Sequence, residues 1–163
     1  METAYFAGGC FWGVEYFFDL VPGVIAAVSG YMGGHLDHPT YEDVCSGSTG
    51  HVETVQVTFD PAHVSYERLA RLFFEIHDPT QTDGQGPDIG EQYRSVVFYS
   101  NDAQRRTAEA LIQDLSRRGY RVATRVLPAT VFWPAEDYHQ DYYRRKGVPP
   151  SCHVRVQRFG PER

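Results

Sequence analysis

Six consecutive residues near the N-terminus, Gly8-Gly9-Cys10-Phe11-Trp12-Gly13, set one thiol between glycines and two large aromatic rings. A cysteine is a nucleophile only as its thiolate, and the unpaired N–H groups and positive end of a helix favour that form. Thr3-Ala4-Tyr5-Phe6-Ala7, ahead of it, is short and apolar enough for a buried strand. Behind it, Val14, Phe17 and Phe18 fall at helical spacing. Cys10 is therefore expected where a strand turns over glycines into the first turn of a helix. Phe11 and Trp12 add a dry aromatic surface beside the sulfur, suited to a small uncharged group with an apolar end. A cysteine that only fills a core has no need of flanking glycines.

Glu53 is the second group with chemistry to offer. From Val52 to Asp60, Val55, Val57 and Phe59 share one parity and Thr54, Gln56 and Thr58 the other. Glu53 has the parity of the apolar set. An acid on the core side of a strand keeps its proton to higher pH than a free glutamate, and so can donate near neutrality. If the strand begins only after Glu53, the carboxyl stands instead at an exposed edge. Parity leaves both readings open.

The histidines do not form a metal pattern. His35 and His38 are two residues apart and His51-Val52-Glu53 contains a His-x-Glu, but no Pro-Cys-x-x-Cys or His-Glu-x-x-His accompanies them. His77, His139 and His153 stand apart, and His139 is expected to cap or pack a helix. Gly30-Tyr31-Met32-Gly33-Gly34 has neither the lysine of a phosphate-binding loop nor a dinucleotide fingerprint. No metal and no cofactor is expected.

These groups must be positioned by strands and helices in alternation. The pattern predicts strands over Thr3–Ala7, Val24–Tyr31, Val52–Asp60, Ser95–Tyr99 and Arg121–Leu127. Helices are predicted over Cys10–Leu20, from a Ser65 cap through Ile76, over Ala103–Arg118 closed by Gly119, and from Pro134 through Tyr143. The long polar stretch His77–Tyr93 suits a compact domain only if it covers a site. Mixed hairpins and crossovers predict an α+β, two-layer α/β sandwich with a ferredoxin-like split β-α-β core and an irregular C-terminal tail. With 163 residues and no linker or repeat, residues 1–163 are expected to form a single domain.

A net charge of −6 argues against nucleic acid or an anionic membrane surface as partner. No apolar run is long enough to cross a bilayer, and Met1-Glu2-Thr3-Ala4-Tyr5 lacks the regions of a signal peptide, so a cytoplasmic monomer is expected. The three cysteines, Cys10, Cys45 and Cys152, are too few and scattered for a disulfide scaffold. Any disulfide is expected to be transient and catalytic.

Five blocks together resemble the peptide methionine sulfoxide reductase A family. They are Gly9-Cys10-Phe11-Trp12-Gly13, Gly30-Tyr31-Met32-Gly33-Gly34 leading to Tyr41-Glu42-Asp43-Val44-Cys45-Ser46-Gly47, Gly50-His51-Val52-Glu53, Asp88-Ile89-Gly90-Glu91-Gln92-Tyr93-Arg94-Ser95, and Ala135-Glu136-Asp137-Tyr138-His139-Gln140. They run in family order over nearly the whole chain. The resemblance implies that Cys10 attacks the sulfur of a methionine sulfoxide, free or in oxidised proteins, while Phe11 and Trp12 hold its methyl group. It implies that Glu53, Tyr41 and Tyr93 bind the oxygen, Glu53 supplying the proton, and that Asp88 orders the site. The sulfenic acid left on Cys10 would condense with a second thiol, Cys152 by resemblance, and a thioredoxin-like dithiol would restore both. Two departures stand out. Pro149-Pro150-Ser151-Cys152-His153 replaces a glycine-tyrosine-cysteine tail, and Gln81 stands where threonine is expected. Cys45 matches a family position without a catalytic role. Two other readings stay open: a cysteine hydrolase with His139 as base, and a non-catalytic thiol redox sensor.

Overall fold

A computed structural model of the chain describes residues 1–148, 150 and 153–159. Its strands are β1 (Glu2–Gly8), β2 (Val24–Met32), β3 (Val52–Phe59), β4 (Gly84–Gln85), β5 (Asp88–Ile89), β6 (Ser95–Tyr99), β7 (Arg125–Pro128) and β8 (Trp133–Pro134). The helices are α1 (Phe11–Asp19), α2 (Tyr41–Cys45), α3 (Tyr66–Ile76), α4 (Asp102–Arg117) and α5 (Tyr142–Lys146). Six strands form one sheet in the order β7-β6-β1-β3-β2-β8. β3 lies antiparallel between β1 and β2, and β1 lies antiparallel between β3 and β6. This is the ferredoxin-like split β-α-β arrangement, extended by α4 into β7 parallel to β6.

Side-chain parity assigns the two faces of the sheet. Ala4, Phe6, Val55, Val57 and Phe59 join α1 and α3 in the main core, where Phe6 stacks with Phe18 at 5.0 Å and Phe73 at 5.1 Å. Ala7, Met32, Val52, Val96 and Phe98 face the other way, beneath Tyr5, Ala129 and Phe132. Caps set the helix starts. The Ser65 hydroxyl accepts from the Arg68 N–H at 3.1 Å, and the Asn101 carbonyl from the Gln104 N–H at 2.9 Å. No helix among the described residues is long and apolar enough to cross a membrane.

Four local expectations need correction. The strand expected from Arg121 begins only at Arg125, because the preceding residues bond elsewhere. The Ala123 N–H donates to Pro79 O at 2.7 Å, and the Thr124 hydroxyl pairs with that of Ser95 at 2.7 Å. The helix expected from Pro134 is instead the end of edge strand β8, then a 3-10 turn over Asp137–His139, then α5. Pro134 sits where an edge strand tolerates a missing N–H, and Asp141 at φ +51 breaks the helix. Helix α2 was not expected. Thr40 and Asp43 make a reciprocal capping box around it, a Thr-x-x-Asp signature readable in the sequence. The loop His77–Tyr93 contains the hairpin β4-β5 and a 3-10 turn over Glu91–Tyr93.

Candidate active site

Cys10 stands as the N-cap of α1 with no side-chain cap of its own, its residue half-buried. Gly9 takes φ +93 to make the turn, and a Cβ there would overlap the Gln85 side chain. The long loop thus folds back onto the cysteine turn through Gln85, whose amide is braced by Asp78 O at 2.9 Å. The first orphan donor of α1, the Phe11 N–H, reaches Glu53 Oε1 at 3.2 Å. β3 begins at Val52, so Glu53 lies within the strand on the helix side, 2% exposed. The carboxyl is therefore fixed one residue from the thiol.

Tyr41 opens α2 and Tyr93 ends the 3-10 turn, and both feel the Glu53 charge. Burial first, then Glu53, pushes the Tyr93 phenol up to about 12, with Asp88 in β5 adding to the effect. Burial likewise raises the Tyr41 phenol, helped by pairing of its hydroxyl with the Cys45 thiol. Both phenols are thus neutral donors at physiological pH. Burial raises the Cys45 thiol as well, so exposed Cys45 is a protonated neighbour of Tyr41. Cys152 lies outside the described residues. His153, which follows it, is 3% exposed, and its ring nitrogen Nε2 is 2.7 Å from Gly8 O. A Cβ on Gly13 would overlap His153 Nδ1, so glycine at that position makes the seat for this ring.

The segment from Ala135 to Tyr143 straps the site from behind. Glu136 accepts from the Tyr31 hydroxyl at 2.9 Å and the Tyr41 N–H at 3.0 Å. Burial opposes its charge, but these donors outweigh burial and hold its carboxyl below the usual range. The Trp12 indole N–H donates to His139 Nδ1 at 2.9 Å, and Tyr142 stacks on Trp12 at 3.7 Å. The Gln140 amide pairs with both backbone groups of Ser29 in β2.

Glu15 of α1 ties this strap to the helix. Its carboxylate accepts from the Ser29 hydroxyl at 2.5 Å and the Asp141 N–H at 2.7 Å. Glu15, Asp19 and Asp141 bring carboxylate oxygens within 4.8 Å of one another. Burial, with Asp141 adding repulsion, raises Glu15 to about 7 and Asp19 to about 6. Because the folded state holds the Glu15 proton more tightly, stability present below the unfolded value of 4.5 is lost as pH rises toward 7. Glu15→Gln is expected to remove roughly 1–3 kcal/mol of that slope. Urea midpoints at acid and mildly alkaline pH check it: equal slopes for both proteins would show Glu15 ionised throughout.

The family model for peptide methionine sulfoxide reductase matches residues 2–162. The chain belongs to that family. It is an oxidoreductase that reduces methionine sulfoxide. Peptide methionine sulfoxide reductase MsrA of Geobacter sulfurreducens is 52% identical over 150 residues, 90% of this chain and 93% of that protein. The Thermus thermophilus MsrA is 51% identical over 94% of this chain and 88% of its own. Among solved structures, reduced Mxr1 from Saccharomyces cerevisiae superposes with a TM-score of 0.87 at 33% identity, covering 94% of this chain and 91% of Mxr1. Methionine sulfoxide reductase A of Corynebacterium diphtheriae gives 0.82 at 36% identity, covering 92% and 77%.

Phe11, next to Cys10 and Trp12, bonds to Glu53, whose charge reaches Tyr41 and Tyr93, and the Asp88 charge also reaches Tyr93. The hydrolase reading lacks its base, because the Trp12 indole occupies His139 Nδ1. Gln81, the departure in the loop, clamps Gly86 by accepting its N–H at 2.8 Å and donating to its carbonyl at 3.2 Å. Residue reasoning missed Glu136, Glu15, Gln85 and the Trp12 bond of His139. The apolar stripe around Glu15 carried a signal, since an acid among Phe11, Val14 and Phe18 must be hydrogen-bonded if buried.

Proposed function

We propose that Cys10 is the nucleophile of this reductase and that Glu53 is the acid delivering the oxygen's proton. The observation that carries the reading is the Phe11 N–H bond to Glu53 Oε1, which ties the carboxyl from β3 to the residue next to the thiol at the helix start. The thiolate attacks the sulfoxide sulfur and Glu53 protonates the oxygen, with Tyr41 and Tyr93 donating to it and Asp88 steadying Tyr93. Phe11 and Trp12 enclose the methyl group. The oxygen passes to Cys10, leaving methionine and a sulfenic acid.

Cys152 resolves that sulfenic acid, its thiol displacing the hydroxyl as water to give a disulfide. The seat of the next residue in the chain, His153, on Gly8, Gly9 and Gly13 supports this. A thioredoxin-like dithiol then reduces the disulfide. The yeast relative Mxr1 has itself been solved in complex with Trx2. One copy of the chain supplies every group named, as a monomer built as one domain over 1–163 would. Recycling by a dithiol suits the cytoplasm.

Separated epimers of methionine sulfoxide, with dithiothreitol as reductant, test the pocket. The S epimer is expected to turn over, free or peptide-bound, and the R epimer to give little product. A single chiral pocket presents the oxygen to Glu53 and the methyl to Trp12 in one hand only. Equal turnover of both would sink the assignment.

A further inference from the structure

We propose that His139 is a positioning residue for sulfoxide reduction, its Nδ1 fixing the in-plane orientation of the Trp12 indole and so the apolar wall beside Cys10. The inference rests on the proposed role of Trp12 as that wall. Trp12 is only partly buried, so packing alone does not hold it. Tyr142 covers one face at 3.7 Å with 6° between the rings, which sets the tilt of the indole. Stacked faces slide and turn easily in their own plane, whereas a hydrogen bond at the ring edge is directional. The bond from the Trp12 N–H to His139 Nδ1 supplies that direction.

The imidazole is committed to this bond. His139 is 1% exposed, ringed by Phe11 at 5.0 Å, Tyr41 at 4.5 Å and Tyr138 at 4.1 Å. Because Nδ1 accepts, the proton sits on Nε2, which meets no acceptor among the described residues. A ring present only to pack would not need a nitrogen there. Among the described residues its ring hydrogen bond goes to Trp12.

Protonation would reverse Nδ1 from acceptor to donor and break the contact. The groups facing the ring are Glu136 on the strap, Glu42 and Tyr41 on α2, and Tyr138; α1 presents the uncharged Phe11 and Trp12. Burial lowers the histidine below its ordinary value, against the pull of Glu136 and Glu42. The bond therefore persists at neutral pH and is lost in acid.

Three variants and an acid titration test this. His139→Gln keeps an acceptor; His139→Leu and His139→Phe do not. The chain has two tryptophans, so Trp12→Phe identifies the Trp12 indole N–H in a proton–nitrogen spectrum. That N–H is expected to resist exchange in the wild type and in His139→Gln, and to exchange freely in His139→Leu and His139→Phe. In the wild type alone, protection should vanish in acid, with a matching rise in KM that His139→Gln lacks. Losing one buried neutral hydrogen bond should raise KM for a small methyl sulfoxide about 3–10-fold, with kcat nearly kept. A protected N–H and unchanged KM in His139→Leu and His139→Phe would overturn the proposal, as would an acid-insensitive N–H in the wild type. If Trp12→Ala also leaves KM unchanged, the wall itself is misassigned. If Trp12→Ala raises KM while the histidine variants do not, only the positioning role fails.

Discussion

Cys10→Ser is expected to abolish sulfoxide reduction with any reductant, whereas Cys152→Ser is expected to complete one turnover and then stall. Attack at sulfur needs only the thiol at the helix start and its pocket, so the first methionine forms without Cys152. With thioredoxin as reductant, recycling needs a disulfide it can attack. Cys152→Ser should therefore yield one methionine per enzyme and leave a sulfenic acid on Cys10 that a dimedone-type trap captures. Mass mapping of the wild type after one equivalent of substrate should show a Cys10–Cys152 link with Cys45 free. Burial and the charges of Glu53, Glu42 and Glu136 raise the Cys45 thiol despite its bond with Tyr41, so it is a slow nucleophile at neutral pH. A Cys10–Cys45 link, with repeated turnover surviving in Cys152→Ser, would transfer the resolving role to Cys45.

The parts of the site legible in sequence were those set by local geometry. A strand, a glycine turn and an apolar helical stripe place Cys10 at a helix start, and period-two alternation gives Glu53 the parity of the core face, though only the start of β3 at Val52 decides that the strand includes it. Both depend on neighbours within a few residues. The strap behind the site was not legible in this way. Pro134 reads as a helix opener, yet it closes an edge strand because β2 offers Gly30 and Tyr31 as partners. Glu136 and His139 acquire meaning only from Tyr31, Tyr41 and Trp12, the last of them 127 residues away. Buried Glu15 is of the same kind, since its donors come from β2 and the strap. Local pattern cannot announce contacts that the fold itself creates. The capping box at Thr40 is the exception, a local signal set in a glycine- and histidine-rich stretch.

Glu53→Gln separates the acid from the shape. Glutamine keeps the side-chain volume, and its carbonyl can still accept the Phe11 N–H that Glu53 Oε1 accepts at 3.2 Å, so the start of α1 stays capped. What it loses is the proton that must reach the sulfoxide oxygen as the bond to sulfur breaks. General acid catalysis of this kind contributes at least about a hundredfold, so the first-turnover rate should fall by that factor or more. Substrate affinity should change far less, because Tyr41 and Tyr93 still donate to the oxygen. The same substitution has an optical signature. Glu53 helps to push the Tyr93 phenol up to about 12 and to raise Tyr41, so removing its charge should move both tyrosinate transitions to lower pH. Lowered tyrosine titrations would report that Glu53 carries charge beside the phenols. An undiminished first-turnover rate at every pH would then remove it from the acid's role and leave Tyr41 and Tyr93 as the proton donors nearest the oxygen.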